Sequence, residues 1–469
     1  MTHKPILIIQ MQRLGDMILS FPLMGRLSQL YPETPLWVVG EKRFFAELMD
    51  VSPSAVFFEH NAASALRQNS FRSVINISHR PESLALAGSL DTEELVGSYT
   101  DASGNSFIRG NWQLYRASLV NNNRYNLFHW ADINALDSVP YQSMRSTLWP
   151  APRDKAVTSS AHVGLFLGAS ESDKHPDASF WAELAKELLH AGHRPVLLGG
   201  EAEKTLGRDV SAMLGTHALN LTGHFSLREL ALFMNELDLF VTPDTGPMHL
   251  AVWTGTPVLN LSTGPVNAWE TGPFSPGHYV LRAALPCIGC WHCIQGEVLC
   301  KQKLHPKRTA FLIHELVTKK DANLHRIALP GQELLRTGRN GHNLFAMNQI
   351  MGEEMPRQIT AELWQAYFGH VLGSFPEEDL KNAWAVFAAG SPGNTEIFVK
   401  ALVKFSRDLS LHLRRKHTSP VMQEDFWASF PLPLRPLTSY LHLLLQNGLY
   451  KNEAVGQSLA MIEKLTALL

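Results

Sequence analysis

Three short stretches of this sequence bring together residue types that handle phosphate and proton transfer. In "LFVTPDTGPMHLA" a buried strand ends at Thr242, the chain turns through Pro243 to Gly246, and a helix opens near Pro247, a residue favoured in a first helical turn. Backbone N–H groups and the helix dipole at such a turn suit a diphosphate, and Gly246 lets an anion approach the backbone closely. Asp244, Thr245 and His249 add polar side chains there. The same residues also read as an N-cap aspartate followed by a buried histidine.

The second stretch, "ILIIQMQRLGDMILSFPLM", sets Arg13, Leu14, Gly15 and Asp16 between the first strand and the next helix. A carboxylate at that point could take a proton from an acceptor hydroxyl. An aspartate at a helix start is also a common cap. No G-x-G-x-x-G follows the strand, which weighs against a dinucleotide oxidoreductase. The third stretch, "LGASESDKHPDASFWAELAKEL", carries Lys174 in a polar loop, where it could neutralise a departing diphosphate or simply be solvated.

All four cysteines fall between Cys287 and Cys300, spaced C-x2-C-x2-C-x6-C through Cys290 and Cys293. That spacing is compact enough for four thiolates to close around one zinc or iron, with His292 as an alternative ligand. Four reduced thiols in an irregular loop is the other reading. A metal there is expected to be structural and remote from the chemistry.

The elements that must position these groups alternate between strand and helix. "ILIIQ", "PLWVVG", "SAVFFE" and "RSVINIS" are separated by amphipathic stretches, and the pattern restarts with "HVGLFLG", "RPVLLGG", "LFVT" and "PVLNLS". Prolines at 140, 150 and 152 mark a linker between the two runs. The expected architecture is α/β: two doubly wound, Rossmann-like parallel-sheet domains, 1–155 and 156–329, facing a cleft at the carboxyl ends of their strands. From about Pro330 helical patterns take over, at Ala361 to Leu372, Glu378 to Ala389 and Thr395 to Arg415, so 330–469 is expected to be an all-helical domain. Within it, "LPLRPLTSYLHLLLQNGLY" suits either core or a subunit contact. The cluster "RRKH" from Arg414 suits a solvated helix end or an anionic surface.

Composition narrows the partners. The chain has 469 residues, 45% hydrophobic and 18% charged, with a formal net charge of -2. That is ordinary for a globular protein and offers no global field for nucleic acid, so no nucleic-acid partner is expected. The N-terminal apolar run is too short for a signal peptide, and no segment approaches a spanning helix. A cytoplasmic location is expected.

Taken in order, the "LGD" turn, "DKHPDASFWAEL", "LLGGEAEK", "TPDTGPMHLAVWTGTPVLNLSTGP" and "ETGPFSPGHYVLRAALPC" resemble the ADP-heptose:lipopolysaccharide heptosyltransferases, over roughly residues 4 to 310. These are inverting glycosyltransferases of family 9 with the two-domain GT-B fold. The resemblance implies Asp16 as general base and Lys174 on the donor phosphates. It implies Asp244, Thr245 and Gly246 around the sugar and diphosphate with His249 nearby, and Glu201 or Glu203 at the nucleotide ribose. It implies ADP-heptose as donor, no metal or other cofactor for catalysis, and peripheral association with the inner membrane. Similar cysteine-bearing loops occur in relatives. The helical region after Pro330 departs from familiar members.

Three functions are weighed. The first is heptose transfer to the lipopolysaccharide inner core. The second keeps the fold but uses a protein acceptor presented by the helical region. The third is a catalytically silent sugar-nucleotide binder, against which the joint presence of Asp16, Lys174 and Asp244 argues.

Overall fold

The computed structural model describes residues 4–154, 157–215, 218–287, 289–293, 295–318, 324, 327–352, 357–390, 392–414 and 424–469. The "RRKH" cluster from Arg414 lies outside the residues whose side chains are described.

The first six strands are β1 (Ile6–Ile9), β2 (Leu36–Gly40), β3 (Val56–Glu59), β4 (Ser70–Asn76), β5 (Asp91–Thr100) and β6 (Ser106–Arg109), in the order β3-β2-β1-β4-β5-β6. Only the β5–β6 pair is antiparallel. The second sheet comprises β7 (His162–Phe166), β8 (Arg194–Leu198), β9 (Leu219–Asn220), β10 (Leu239–Thr242), β11 (Val258–Ser262), β12 (Tyr279–Ala283), β13 (Gln332–Arg339) and β14 (Phe345–Met351). Its order is β14-β13-β12-β11-β10-β7-β8-β9. Helices cover both faces, which is why central strands such as "ILII" and "LFVT" are buried at every position and apolar but for the terminal Thr242.

In each sheet the first strand lies between strands reached in opposite directions, β1 between β2 and β4, and β7 between β8 and β10. Ligands in open α/β sheets bind at such switch points, outside the carboxyl ends of the strands. The turns after β1 and β4 and those after β7 and β10 are therefore the ones a ligand should meet.

The hairpin β13–β14 runs antiparallel to β12 and extends the second sheet. The helical region therefore starts at Arg357 rather than at 330. A buried ion cluster ties this hairpin to the first unit: Asp132 takes Arg26 (3.3 Å), Arg339 (3.3 Å) and the backbone N–H of Phe345 (2.7 Å). The helices from Arg357 pack on the first unit as part of one continuous apolar core. Tyr115 packs against Phe368 with ring centroids 4.6 Å apart and the rings tilted, and the Asn447 amide pairs with both the N–H and the carbonyl of Ile108. Leu434, Leu437, Tyr440, Leu441 and Leu445 are buried, so the "LPLRPLTSYLHLLL" stretch is core.

Candidate active site

The helix Leu14–Leu19 starts with Arg13 extended and without a side-chain cap, which puts Asp16 in its first turn. The Asp16 carboxyl lies near the backbone N–H of Arg13 and faces the cleft. Burial raises its pKa above the usual carboxylate value, and the nearby Arg116 guanidinium opposes that rise. Arg116 is itself buried. It donates to the Ile77 carbonyl (3.1 Å) and to Asn134 Oδ1 (2.9 Å), and stacks over Trp130.

Across the cleft the helix Gly246–Trp253 begins after β10 with Thr245 as its extended N-cap and Pro247 in its first turn. Asp244 Oδ2 accepts from Thr271 Oγ1 at 3.1 Å. Burial lifts the Asp244 pKa to about 6, and Lys174 pulls the other way. His249 is buried and neutral, because burial drives its pKa down to about 3. His249 is thus buried, as one reading of the sequence expects, but Asp244 is not the N-cap: Thr245 takes that place with no side-chain cap bond, and Asp244 accepts from Thr271 instead, while the turn opens on the cleft.

The two turns touch. A Cβ on Gly246 would stand 2.7 Å from Leu14 Cδ2, and one on Gly15 would stand 3.1 Å from the His249 ring. Arg13 donates to Ser170 Oγ (3.2 Å) beside Glu171, which also faces Lys174 Nζ at 3.5 Å. One cavity of about 950 Å³ is lined by Asp16, Lys174, Asp244, Thr245, Gly246 and His249 together. Its wall on the first unit adds Arg43, Phe44, His79, Arg80, Arg116 and Trp130.

Glu201 and Glu203 are not brought into that cavity. Glu201 is exposed, pairs with Lys204 at 2.7 Å, and lines a separate depression of about 390 Å³ with Arg208 and His224. Glu203 folds back over Gly168 and takes the Gly200 N–H at 2.7 Å.

Cys287, Cys290, Cys293 and Cys300 share one small cavity of about 20 Å³. Cys300 Sγ accepts the Gly264 N–H at 3.2 Å, and burial raises the pKa of Cys290 and Cys300. Thiols are the donor type that zinc or iron takes, but among the described residues no group of three stands in ligating geometry. This loop is not remote from the cleft as expected: Trp291, His292 and Cys293 form part of its wall. His292 is exposed to the cleft rather than turned into the thiol group.

Sequence reading missed Arg116, Trp130, Asn123 and Glu270 on the cavity wall. The first three fall where the strand–helix alternation fades. Glu270 lies in "ETGPFSPGHYVLR", whose spacing names no chemistry.

Comparison with known proteins bears on the family and the fold. The family described as "Glycosyltransferase family 9 (heptosyltransferase)" matches residues 60–297. Lys174, Asp244 and His249 lie inside the matched stretch, and Asp16 lies before it. Lipopolysaccharide heptosyltransferase 2 of Escherichia coli K12 is 32% identical over 106 residues, 22% of this chain and 30% of that protein. Lipooligosaccharide heptosyltransferase 2 of Campylobacter jejuni serotype O:6 is 27% identical over 167 residues, 33% of this chain and 51% of that protein. The chain thus spans about half the length, or less, of the curated relatives it matches. The solved structure of E. coli ADP-heptose LPS heptosyltransferase II matches with a TM-score of 0.51 at 20% identity, over 68% of this chain and 99% of that one, a likeness of fold. On the family match over half its length, the chain belongs to glycosyltransferase family 9, the heptosyltransferase family.

Proposed function

We propose that the cleft transfers heptose from ADP-heptose to a saccharide acceptor of the lipopolysaccharide inner core, with inversion at the anomeric carbon. The observation that carries this reading is the direct packing of the Leu14–Asp16 turn on the Thr245–His249 turn, which puts a carboxylate and an anion-binding helix N-terminus in one cavity. In this reading Asp16 removes the proton of the acceptor hydroxyl as that oxygen attacks the anomeric carbon. Its raised pKa makes it a stronger base than an ordinary aspartate. The sugar–phosphate bond breaks on the opposite face, and Lys174 with the N–H groups of the helix Gly246–Trp253 takes up the charge developing on ADP. Asp244 and Thr245 hold the sugar, and neutral His249 supports the turn from below. Glu201 or Glu203 reaches the nucleotide ribose only if the donor extends from the cavity toward the depression beside Lys204.

The acceptor side carries the cations Arg43, Arg80 and Arg116 and the aromatic Phe44 and Trp130, with His79 neutral because burial pushes its pKa down to about 3. This suits an anionic saccharide better than an unmodified polypeptide, although a protein acceptor keeps the same donor chemistry. A lipid-linked acceptor would bring the chain to the cytoplasmic face of the inner membrane as a peripheral protein. Among the described residues no helix is long and apolar enough to cross a membrane. The four thiols are proposed to hold one structural zinc or iron, which would brace the loop carrying Trp291.

A donor screen tests the reading. ADP-heptose should be consumed only when an inner-core acceptor is present, and consumption only with a protein acceptor would move the reading to its alternative. No consumption with either, despite ADP binding, would leave a silent binder.

A further inference from the structure

Beside the cleft, the segment 123–129 of the first unit is joined to the segment 267–272 of the second by buried hydrogen bonds. Asn123 Nδ2 donates to Glu270 Oε2 at 2.7 Å, and Asn126 Nδ2 donates to Glu270 Oε1 at 3.1 Å. Asn267 Nδ2 returns two bonds, to the carbonyls of Asn123 (2.9 Å) and Asn126 (3.2 Å). His129 Nε2 stands 3.0 Å from the Gly272 carbonyl. Asn123, Asn126, His129, Asn267 and Glu270 are each at most 4% exposed. The next residue, Thr271, donates to Asp244. The short helix Ala268–Thr271 therefore carries the interdomain contact on one residue and the donor turn on its neighbour.

This is a costly way to join two surfaces. A buried carboxyl whose direct partners are two amides gives less net stabilisation than a well-packed apolar contact of the same volume. What it supplies is fixed direction: both carboxyl oxygens and both asparagine amides are committed to one geometry. The charged and titratable groups around it are Arg116 and Tyr115 on the helix Asn111–Ser118 and Asp244 on the donor turn. Tyr115 bonds to Asn126 Oδ1 at 3.0 Å, so the first unit's side of the contact is itself anchored.

We propose that Glu270 is a positioning residue for transfer: it fixes the segment 123–126 against the donor unit and, through Thr271, the orientation of Asp244, so that Asp16 and the donor turn keep one separation. This rests on the sugar-transfer reading. Misplacement of reacting groups by about 1 Å costs on the order of 100-fold in rate, so the effect belongs in kcat.

The test uses the full chain and the variants Glu270→Ala, Glu270→Gln and Asn123→Ala. Glu270→Ala is expected to lower kcat about 100-fold while the Kd for ADP stays within about threefold. Glu270→Gln keeps a neutral acceptor for one asparagine and is expected to recover kcat to within about tenfold of wild type, and Asn123→Ala to fall between the two. Backbone hydrogen exchange over residues 123–129, measured with ADP bound, is expected to speed up in Glu270→Ala and stay slow in Glu270→Gln. Unchanged kcat in Glu270→Ala, or a loss wholly in ADP affinity, overturns the proposal. If Glu270→Ala does not fold, Asn123→Ala decides: wild-type kcat with wild-type exchange overturns it. Should the wild-type chain transfer no sugar, the transferase reading falls, while the exchange comparison still decides whether Glu270 holds the two segments together.

Discussion

The His249 imidazole packs against Gly15 so closely that a Cβ there would lie 3.1 Å from its Cδ2 and 3.7 Å from the Gly246 Cα. The turn carrying the proposed base and the turn carrying the proposed donor cradle are thus in van der Waals contact, each at the switch point of its own sheet. Gly15→Ala leaves the helical backbone comfortable but pushes the turns apart by a few tenths of an ångström. It is expected to lower kcat about tenfold with ADP affinity preserved. Steady-state kinetics beside calorimetric ADP titration check this, and an unchanged kcat would mean that the contact does not set the reacting distance.

Lys174 is a cation on the cavity wall, shared between Glu171 and the field of Asp244. Removing it as Lys174→Ala is expected to weaken ADP binding about tenfold and to lower kcat further, because charge on the diphosphate grows as the bond breaks. Equal ADP affinity in the two proteins would return Lys174 to the role of a solvated loop residue.

Burial pushes Glu270 up to about 8 from an ordinary 4.5. The folded chain then holds a proton that the unfolded chain has released, so this residue's contribution to stability falls as pH rises between about 4.5 and 8, by about 1.4 kcal/mol per unit at most. Glu270→Gln cannot ionise and is expected to remove that decline. Urea midpoints for both proteins across this range check it, and parallel curves would place the carboxyl's titration elsewhere.

Much of this arrangement was legible in residues 6–9, 36–40, 163–166 and 239–241, since strands buried on both faces read as largely unbroken apolar runs. The turn residues Asp16 and Asp244 followed from where those runs stop. The hairpin at Gln332 was not legible, because an edge hairpin on a parallel sheet lacks the apolar run of a central strand. Nor was Arg116, whose meaning depends on a fold that brings residue 116 to residue 16. The same distance in sequence hid the contact of Asn123 with Glu270. Glu201 was legible as a polar residue after β8, but only the structure shows its side chain turned to Lys204.

Asp132 holds two buried guanidinium groups, Arg26 and Arg339, between the first unit and the β13–β14 hairpin. Burial alone would raise its pKa, yet the two arginines and the Phe345 N–H bring it below the usual value. Asp132→Ala strands both cations and is expected to cost about 3 to 5 kcal/mol of stability, read from chemical denaturation. A loss under about 1 kcal/mol would show that the hairpin is held by its apolar contacts instead.

The thiol group has its own measurement. Protein purified without chelators is expected to carry about one zinc or iron per chain, and Cys290→Ser to lose it. Metal-free protein of full stability would leave four free thiols in the wall of the cleft.

The central claim is that Asp16 is the base opposite the donor turn, and Asp16→Asn tests it most directly because it keeps the side chain's shape and its place at the helix start. Transfer from ADP-heptose by this variant is expected to fall by about 1,000-fold while the Kd for ADP changes less than about threefold. Transfer within about tenfold of wild type would contradict the assignment, and the proton would have to leave the acceptor by another route.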